Sequence, residues 1–117
     1  MEINNDDFGG FVISKNVLEG KLIRYTYREK SSIPQLNGWT IYSMEDDDAY
    51  VQNPNNFVIL NATSIYQLSP LMLQIFHAPY GTDLCWQYDG NGNFKEFYDL
   101  TKNKTVSLKK FLKKYLS

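Results

Sequence analysis

The chain has a single cysteine, Cys85, so no internal disulfide can staple it, and its composition points to a reducing compartment. It has a single histidine, His77, which leaves no paired-histidine metal motif. Gly-rich phosphate loops, G-x-S-x-G and C-x-x-C are also missing, and with them the usual signatures of nucleotide binding, esterase chemistry and thiol redox work. Long apolar runs are lacking: FVIL (57–60) and LMLQIF (71–76) are far too short to span a bilayer. The opening MEINNDDFGGF has neither the basic n-region nor the apolar h-region of a secretory signal, so a cytoplasmic protein is expected. In that setting the sequons Asn61-Ala62-Thr63 and Asn103-Lys104-Thr105 are chance matches. Internal repeats, low-complexity tracts and inter-domain linkers are absent as well.

What remains is ordinary in size and rich in tyrosine. At 117 residues, division would leave halves too small to be stable, so one domain over 1–117 is expected. Aromatics make up 15%, with nine Tyr, which suits strands and half-buried surfaces because Tyr joins a large apolar body to a polar tip. The net charge of −1 hides an asymmetry. No acidic residue follows Asp99, whereas Lys102, Lys104, Lys109, Lys110, Lys113 and Lys114 do, so a basic tail follows an acidic body.

Periodicity predicts an α+β fold: a mostly antiparallel sheet of about five or six strands, a short central helix and a C-terminal amphipathic helix. Residues 1–9 read as a loose lead-in, 10–15 as a strand, and Gly20 as a turn. In 21–28 alternation sets Ile23, Tyr25 and Tyr27 against Arg24 and Arg28; the aromatics are expected to face inward. A Pro34 loop leads to a strand over 38–43, with Trp39 and Ile41 on one face and Thr40 and Tyr42 on the other. The acidic segment 45–48 leads into AYVQNPNN (49–56), which reads as turns, and the run 57–60 reads as a central strand buried on both faces. Thr63–Leu68 suits a helical turn, and Ser69-Pro70 opens a helix with Met72, Ile75 and Phe76 inward. Asp83–Tyr88 alternates, and Asp89-Gly90-Asn91-Gly92 predicts a hairpin into 94–98. In 105–116, Leu108, Phe111, Leu112, Tyr115 and Leu116 form a helical stripe with lysines between them.

The stretch 24–50 holds the most distinctive residues. Tyr25, Tyr27, Arg28, Glu29, Trp39, Tyr42, Glu45 and Tyr50 would make one aromatic and charged surface if its two strands pair. Glu45-Asp46-Asp47-Asp48 lacks the alternating spacing, central Gly and closing Glu of a calcium loop, so no metal is expected there. It reads as a solvated acidic loop or an electronegative docking surface. Trp39 suits a core position, but exposed beside that loop it would be an interface anchor. Arg28 and Glu29 suit an ion pair or bonds to loop backbone. His77 suits the last turn of a helix, and Cys85 inert packing. No two carboxylates are paired by sequence, so neither a catalytic residue nor a cofactor is expected.

In order and spacing these segments resemble a small bacterial family, immunity-protein-33-like, formerly a domain of unknown function. The resemblance runs over roughly residues 11–88. It is carried by Ile13-Ser14-Lys15, Tyr25-Thr26-Tyr27-Arg28-Glu29, Gly38-Trp39, Ser43 with Glu45-Asp46-Asp47, Tyr50, Asn53 to Asn56 and the Ser69-Pro70 helix. Members usually carry Asp-Ser before Gly-Trp, where this chain has Leu36-Asn37, and Gly before the acidic Glu, where it has Met44. The resemblance implies an α+β fold and protection of a bacterium from a cognate toxin. An immunity protein of that kind needs no catalytic machinery and binds by direct contact; the acidic loop beside aromatic anchors suits a basic partner, so Trp39, Glu45, Asp46, Asp47, Asp48 and Tyr50 are the expected partner surface. The alternative is a nucleic-acid or regulatory-ligand module acting through the lysine-rich tail helix, which the acidic body opposes. A free strand edge would permit a homodimer.

Overall fold

The computed structural model describes residues 8–116, so most of the expected lead-in, 1–7, lies outside the described residues, as do the side chains of Tyr115 and Leu116. Seven strands form one mixed sheet: β1 (Gly10–Ser14), β2 (Ile23–Arg28), β3 (Leu36–Ser43), β4 (Phe57–Leu60), β5 (Asp83–Tyr88), β6 (Phe94–Asp99) and β7 (Lys104–Val106). Their order is β4-β1-β3-β2-β5-β6-β7. Only β1 and β3 run parallel. Among the described residues five helices accompany them: α1 (Lys15–Leu18), α2 (Asp48–Val51), α3 (Ala62–Leu68), α4 (Pro70–Gln74) and α5 (Leu108–Leu116). The α+β expectation holds, with one strand more than the upper expectation.

One face of the sheet is packed and the other is open. In β3 burial alternates strictly: Asn37, Trp39, Ile41 and Ser43 are buried, whereas Leu36, Gly38, Thr40 and Tyr42 are half-exposed. This is the pattern of an antiparallel-rich sheet with one face on the core and one toward water. On the packed face Phe11, Ile13, Trp39, Ile41, Leu84, Trp86 and Phe97 meet Val17 of α1, Ile65 of α3, Met72 of α4, the following Ile75 and Phe76, and Phe111 of α5. Phe8 also packs here, its ring 4.8 Å from that of Phe76, so the end of the expected lead-in is anchored. Among the described residues the buried side-chain polar atoms on this face have hydrogen-bond partners; the Trp86 indole N–H donates to Thr26 Oγ1 at 3.0 Å.

Four expectations are corrected. Tyr25 and Tyr27 do not face the core: a bulge between Ile23 and Tyr25 leaves Ile23 buried and turns both tyrosines onto the open face, while Thr26 and Arg28 point inward. The run 57–60 is an edge strand, not a central one. Its Val58 and Leu60 pack on the core, and Ile59 is 62% exposed on the other face. The segment after the acidic run, expected as turns, forms α2, capped by Asp47 Oδ1 accepting the Tyr50 N–H at 2.8 Å, and then a 3-10 turn at Pro54–Asn56. The tail helix starts at Leu108 rather than 105. Asn103, at φ 55°, turns the chain back, and Lys104–Val106 adds β7 to β6 before Ser107 Oγ caps the helix by accepting the Lys110 N–H.

Candidate functional site: the open face of the sheet

The open face is built by strands whose outward positions are aromatic at the sides and small in the middle. Pairing sets Tyr25 opposite Tyr42, and Tyr27 opposite Thr40. Across β1, Val12 lies between Thr40 on β3 and Ile59 on β4. The rings of Tyr25, Tyr27 and Tyr42 form a triangle with centroid separations of 5.6, 5.6 and 5.9 Å. Phe57 continues it at 5.6 Å from Tyr42, and Tyr50 lies 6.4 Å beyond Phe57. These spacings fall within the range of favourable tilted and edge-to-face aromatic contact.

Between the rings the small side chains of Val12 and Thr40 leave a groove of about 390 Å³. Tyr27, Tyr42, Phe57 and Ile59 line it as well, and Val51, Gln52 and Pro54 of the α2 arm contribute to its wall. That arm is tied down by the Asn56 amide, which donates to Tyr50 O at 2.9 Å. A smaller cleft of about 150 Å³ lies by Tyr25, Tyr27, Glu29 and Asp83. Burial, then a hydrogen bond and charge from Tyr27, hold the Tyr42 hydroxyl well above the ordinary phenol range, with Asp46 and Glu29 adding to the effect. Tyr25 is raised by burial first and then by Asp83.

The expected contact residues divide. Trp39 is 0% exposed: its ring fills the core and its indole N–H donates to Phe76 O at 3.0 Å. Asp46 is 2% exposed. Its Oδ1 accepts from Ser14 Oγ at 3.0 Å and Asn16 Nδ2 at 2.8 Å, and its Oδ2 from the Ser43 N–H at 2.8 Å. Neither side chain is therefore available at the surface. Glu45, Asp47 and Asp48 are exposed, and Tyr50 is half-buried beside the groove. The four acidic residues do not converge, and among the described residues no group of three or more His, Cys, Asp or Glu could hold a metal.

Arg28 leaves the expected aromatic and charged surface as well, and the structural role expected for it is what the contacts show. Its guanidinium turns to the packed face and donates to the carbonyls of Asn37 (3.0 Å), Phe76 (2.8 Å) and Ala78 (2.9 Å). It stacks over Trp39, Phe76 and Tyr80 at 5.8, 5.0 and 4.8 Å. Burial lowers its pKa, partly offset by Tyr80, but an arginine keeps its charge. Gly38, at φ +94°, belongs to the same node: a Cβ there would lie 2.3 Å from Glu29 O, so only glycine fits. Cys85 sits on the open face opposite Tyr25, its thiol pushed up by burial and by Asp83 and so held in the less nucleophilic form. His77 is exposed, its ring edge-on to Phe76 at 5.0 Å, on the helical side.

Sequence reasoning missed Val12, Phe57, Ile59 and Asp83. Alternation was the available signal, since Val12 and Ile59 fall opposite the inward Phe11, Ile13 and Val58; what it withheld was which face the helices cover. The segments that carry the resemblance thus separate into two kinds. Ser14, Arg28, Gly38, Trp39 and Asp46 hold the fold together, while Tyr25, Tyr27 and Tyr50 face outward around the groove.

Among the described residues no helix is long and apolar enough to cross a membrane. A comparison with curated proteins gives no match, and neither does one with solved structures. A family model described as the immunity protein Imm33 domain matches residues 11–98, which takes in β1 through most of β6 and every residue of the open-face groove. The chain therefore belongs to the Imm33 immunity protein family.

Proposed function

We propose that this chain neutralises a cognate bacterial toxin by direct, non-catalytic contact through the open face of its sheet and the adjoining acidic arm. The observation that carries this is the conjunction on one face of Tyr27, Tyr42 and Phe57 around a groove and of the neighbouring segment that bears exposed Glu45, Asp47 and Asp48. Aromatic side chains supply affinity at interface centres, and a charged rim speeds encounter with a partner of opposite sign. Immunity requires a rigid complementary surface and no reaction; the node in which Arg28 and Trp39 both donate to Phe76 O, and the separate cluster of Asp46 with Ser14, Asn16 and Ser43, supply the rigidity beneath it.

The test starts from capture of the partner by the tagged protein at low and moderate salt, followed by association kinetics. Glu45→Gln, Asp47→Asn and Asp48→Asn together should slow association by roughly tenfold at low salt and flatten its salt dependence. Asparagine caps a helix as well as aspartate, so α2 is preserved. Unchanged binding would remove the acidic arm from the interface. Nucleic acid that elutes as salt rises, in place of a toxin-bearing protein, would overturn the immunity mechanism itself.

A further inference from the structure

Asp83 is the anomaly of the open face. Among the described residues its Oδ1 is the buried side-chain polar atom with no hydrogen-bond partner. Burying an acceptor without a donor is costly, and such atoms mark places where something else completes the site. Asp83 lines the smaller cleft with Tyr25, Tyr27, Arg28, Glu29, Gly81 and Thr82. At about 150 Å³ the cleft suits one side chain, since pockets for drug-sized ligands run to about 300–1,000 Å³.

Its chemistry selects a cation. Two carboxylates, Asp83 and Glu29, line it, and the Arg28 guanidinium that could neutralise them is turned through the sheet onto the carbonyls of Asn37, Phe76 and Ala78. The Tyr25 and Tyr27 rings, 5.6 Å apart, add π faces to the same wall. Carboxylates beside aromatic faces favour arginine over lysine, because the planar guanidinium can pair bidentately and stack at once. We infer that the Asp83–Glu29–Tyr25–Tyr27 cleft is a receptor for an arginine side chain presented by the protein partner. The source of that arginine rests on the function proposed above; the cleft's preference for guanidinium does not.

The probe is therefore a peptide, acetyl-Gly-Arg-Gly-amide, titrated into the isotope-labelled protein to tens of millimolar and followed by NMR. Shifts should concentrate at Tyr25, Tyr27, Thr82 and Asp83, and the citrulline analogue, neutral but of the same shape, should produce none. Asp83→Asn and Glu29→Gln should each weaken binding by about tenfold or more, as expected for loss of a charge-assisted pair. Glu96→Gln, on the same face but outside the cleft, should leave it unchanged. Asp83→Asn should also leave the thermal midpoint little changed, because an amide oxygen can still accept from the Tyr25 hydroxyl and the bare Oδ1 makes no contact that the fold needs.

The absence of arginine-specific shifts would overturn the inference, as would equal binding of the citrulline peptide. A large fall in the midpoint of Asp83→Asn would assign the carboxylate to stability and overturn it too. A protein that binds the peptide but captures no toxin would keep the cleft and lose the proposed function; the reverse outcome would do the opposite.

Discussion

Asp46 sits in the middle of the chain's most acidic run, yet it is the member withdrawn from water. Its two oxygens gather three donors from β1, α1 and β3, so it stitches the start of the chain to the end of the longest strand. Asp46→Ala would strand those donors, and the expected loss is about 2–4 kcal/mol in urea denaturation. Asp46→Asn keeps an acceptor oxygen and should lose less. A loss below about 0.5 kcal/mol, typical of surface changes, would remove Asp46 from the scaffold. Tyr88 offers a second residue-scale test. Its hydroxyl donates to Ile23 O, and burial pushes its pKa from 10.0 up to about 12. The folded state holds the proton more tightly than the unfolded chain does. That contribution is complete below pH 10.0 and disappears as the pH rises toward about 12. Tyr25 and Tyr42 act in the same direction. Tyr88→Phe should therefore flatten the alkaline fall of the urea midpoint; an unchanged slope would assign that fall to the other two tyrosines.

At the scale of elements, α5 shows how an amphipathic pattern becomes packing. Phe111 is buried with its ring 5.4 Å from Phe97, and Leu108 and Leu112 flank it, while Lys109 and Lys110 face water. Phe111→Ala should cost about 3–5 kcal/mol, because a large core ring leaves a cavity. Lys109→Ala should change stability by less than about 0.5 kcal/mol. Comparable losses would mean that the helix is held by charge rather than by its apolar stripe. The same contrast explains what could be read in advance. Local chemistry was legible: the Asp89 turn formed as expected, with Oδ1 accepting the Asn91 and Asn93 N–H groups, which hold its carboxyl below the ordinary range. The inward set Met72, Ile75 and Phe76 was legible too. What alternation cannot encode is which face the helices choose. It therefore misassigned Tyr25 and Tyr27, whose bulge shifts the phase, and the 57–60 run, whose outer residues serve a groove and whose inner ones serve the core. Trp39 was legible as a core residue, and what was misjudged was the surface role offered to it and to Asp46, whose distinctiveness reflects the scaffold; Asp83 carried no local signal because its cleft is assembled from β2 and β5.

Taken whole, the molecule is two-sided. Helices α1, α3, α4 and α5, with the exposed lysines Lys109 and Lys110, belong to one side of the sheet, and the tyrosine groove with α2 and its acidic neighbours to the other. A basic partner approaching the open face thus meets carboxylates with the cationic helix across the sheet, which orients encounter as well as hastening it. The sheet order has a further consequence, for the birth of the protein rather than its work. β1 lies between β3 and β4, both of which are made after it. While the ribosome extends the chain, Phe11, Val12 and Ile13 have no neighbour on either side. The β2–β3 hairpin can close locally, and so can the β5–β6–β7 meander, but the first strand must wait until residue 60 has emerged before both its flanks are filled. Non-local pairing of this kind slows folding and leaves apolar strand exposed meanwhile. The apolar strand that nascent-chain chaperones would find longest in the open is therefore β1.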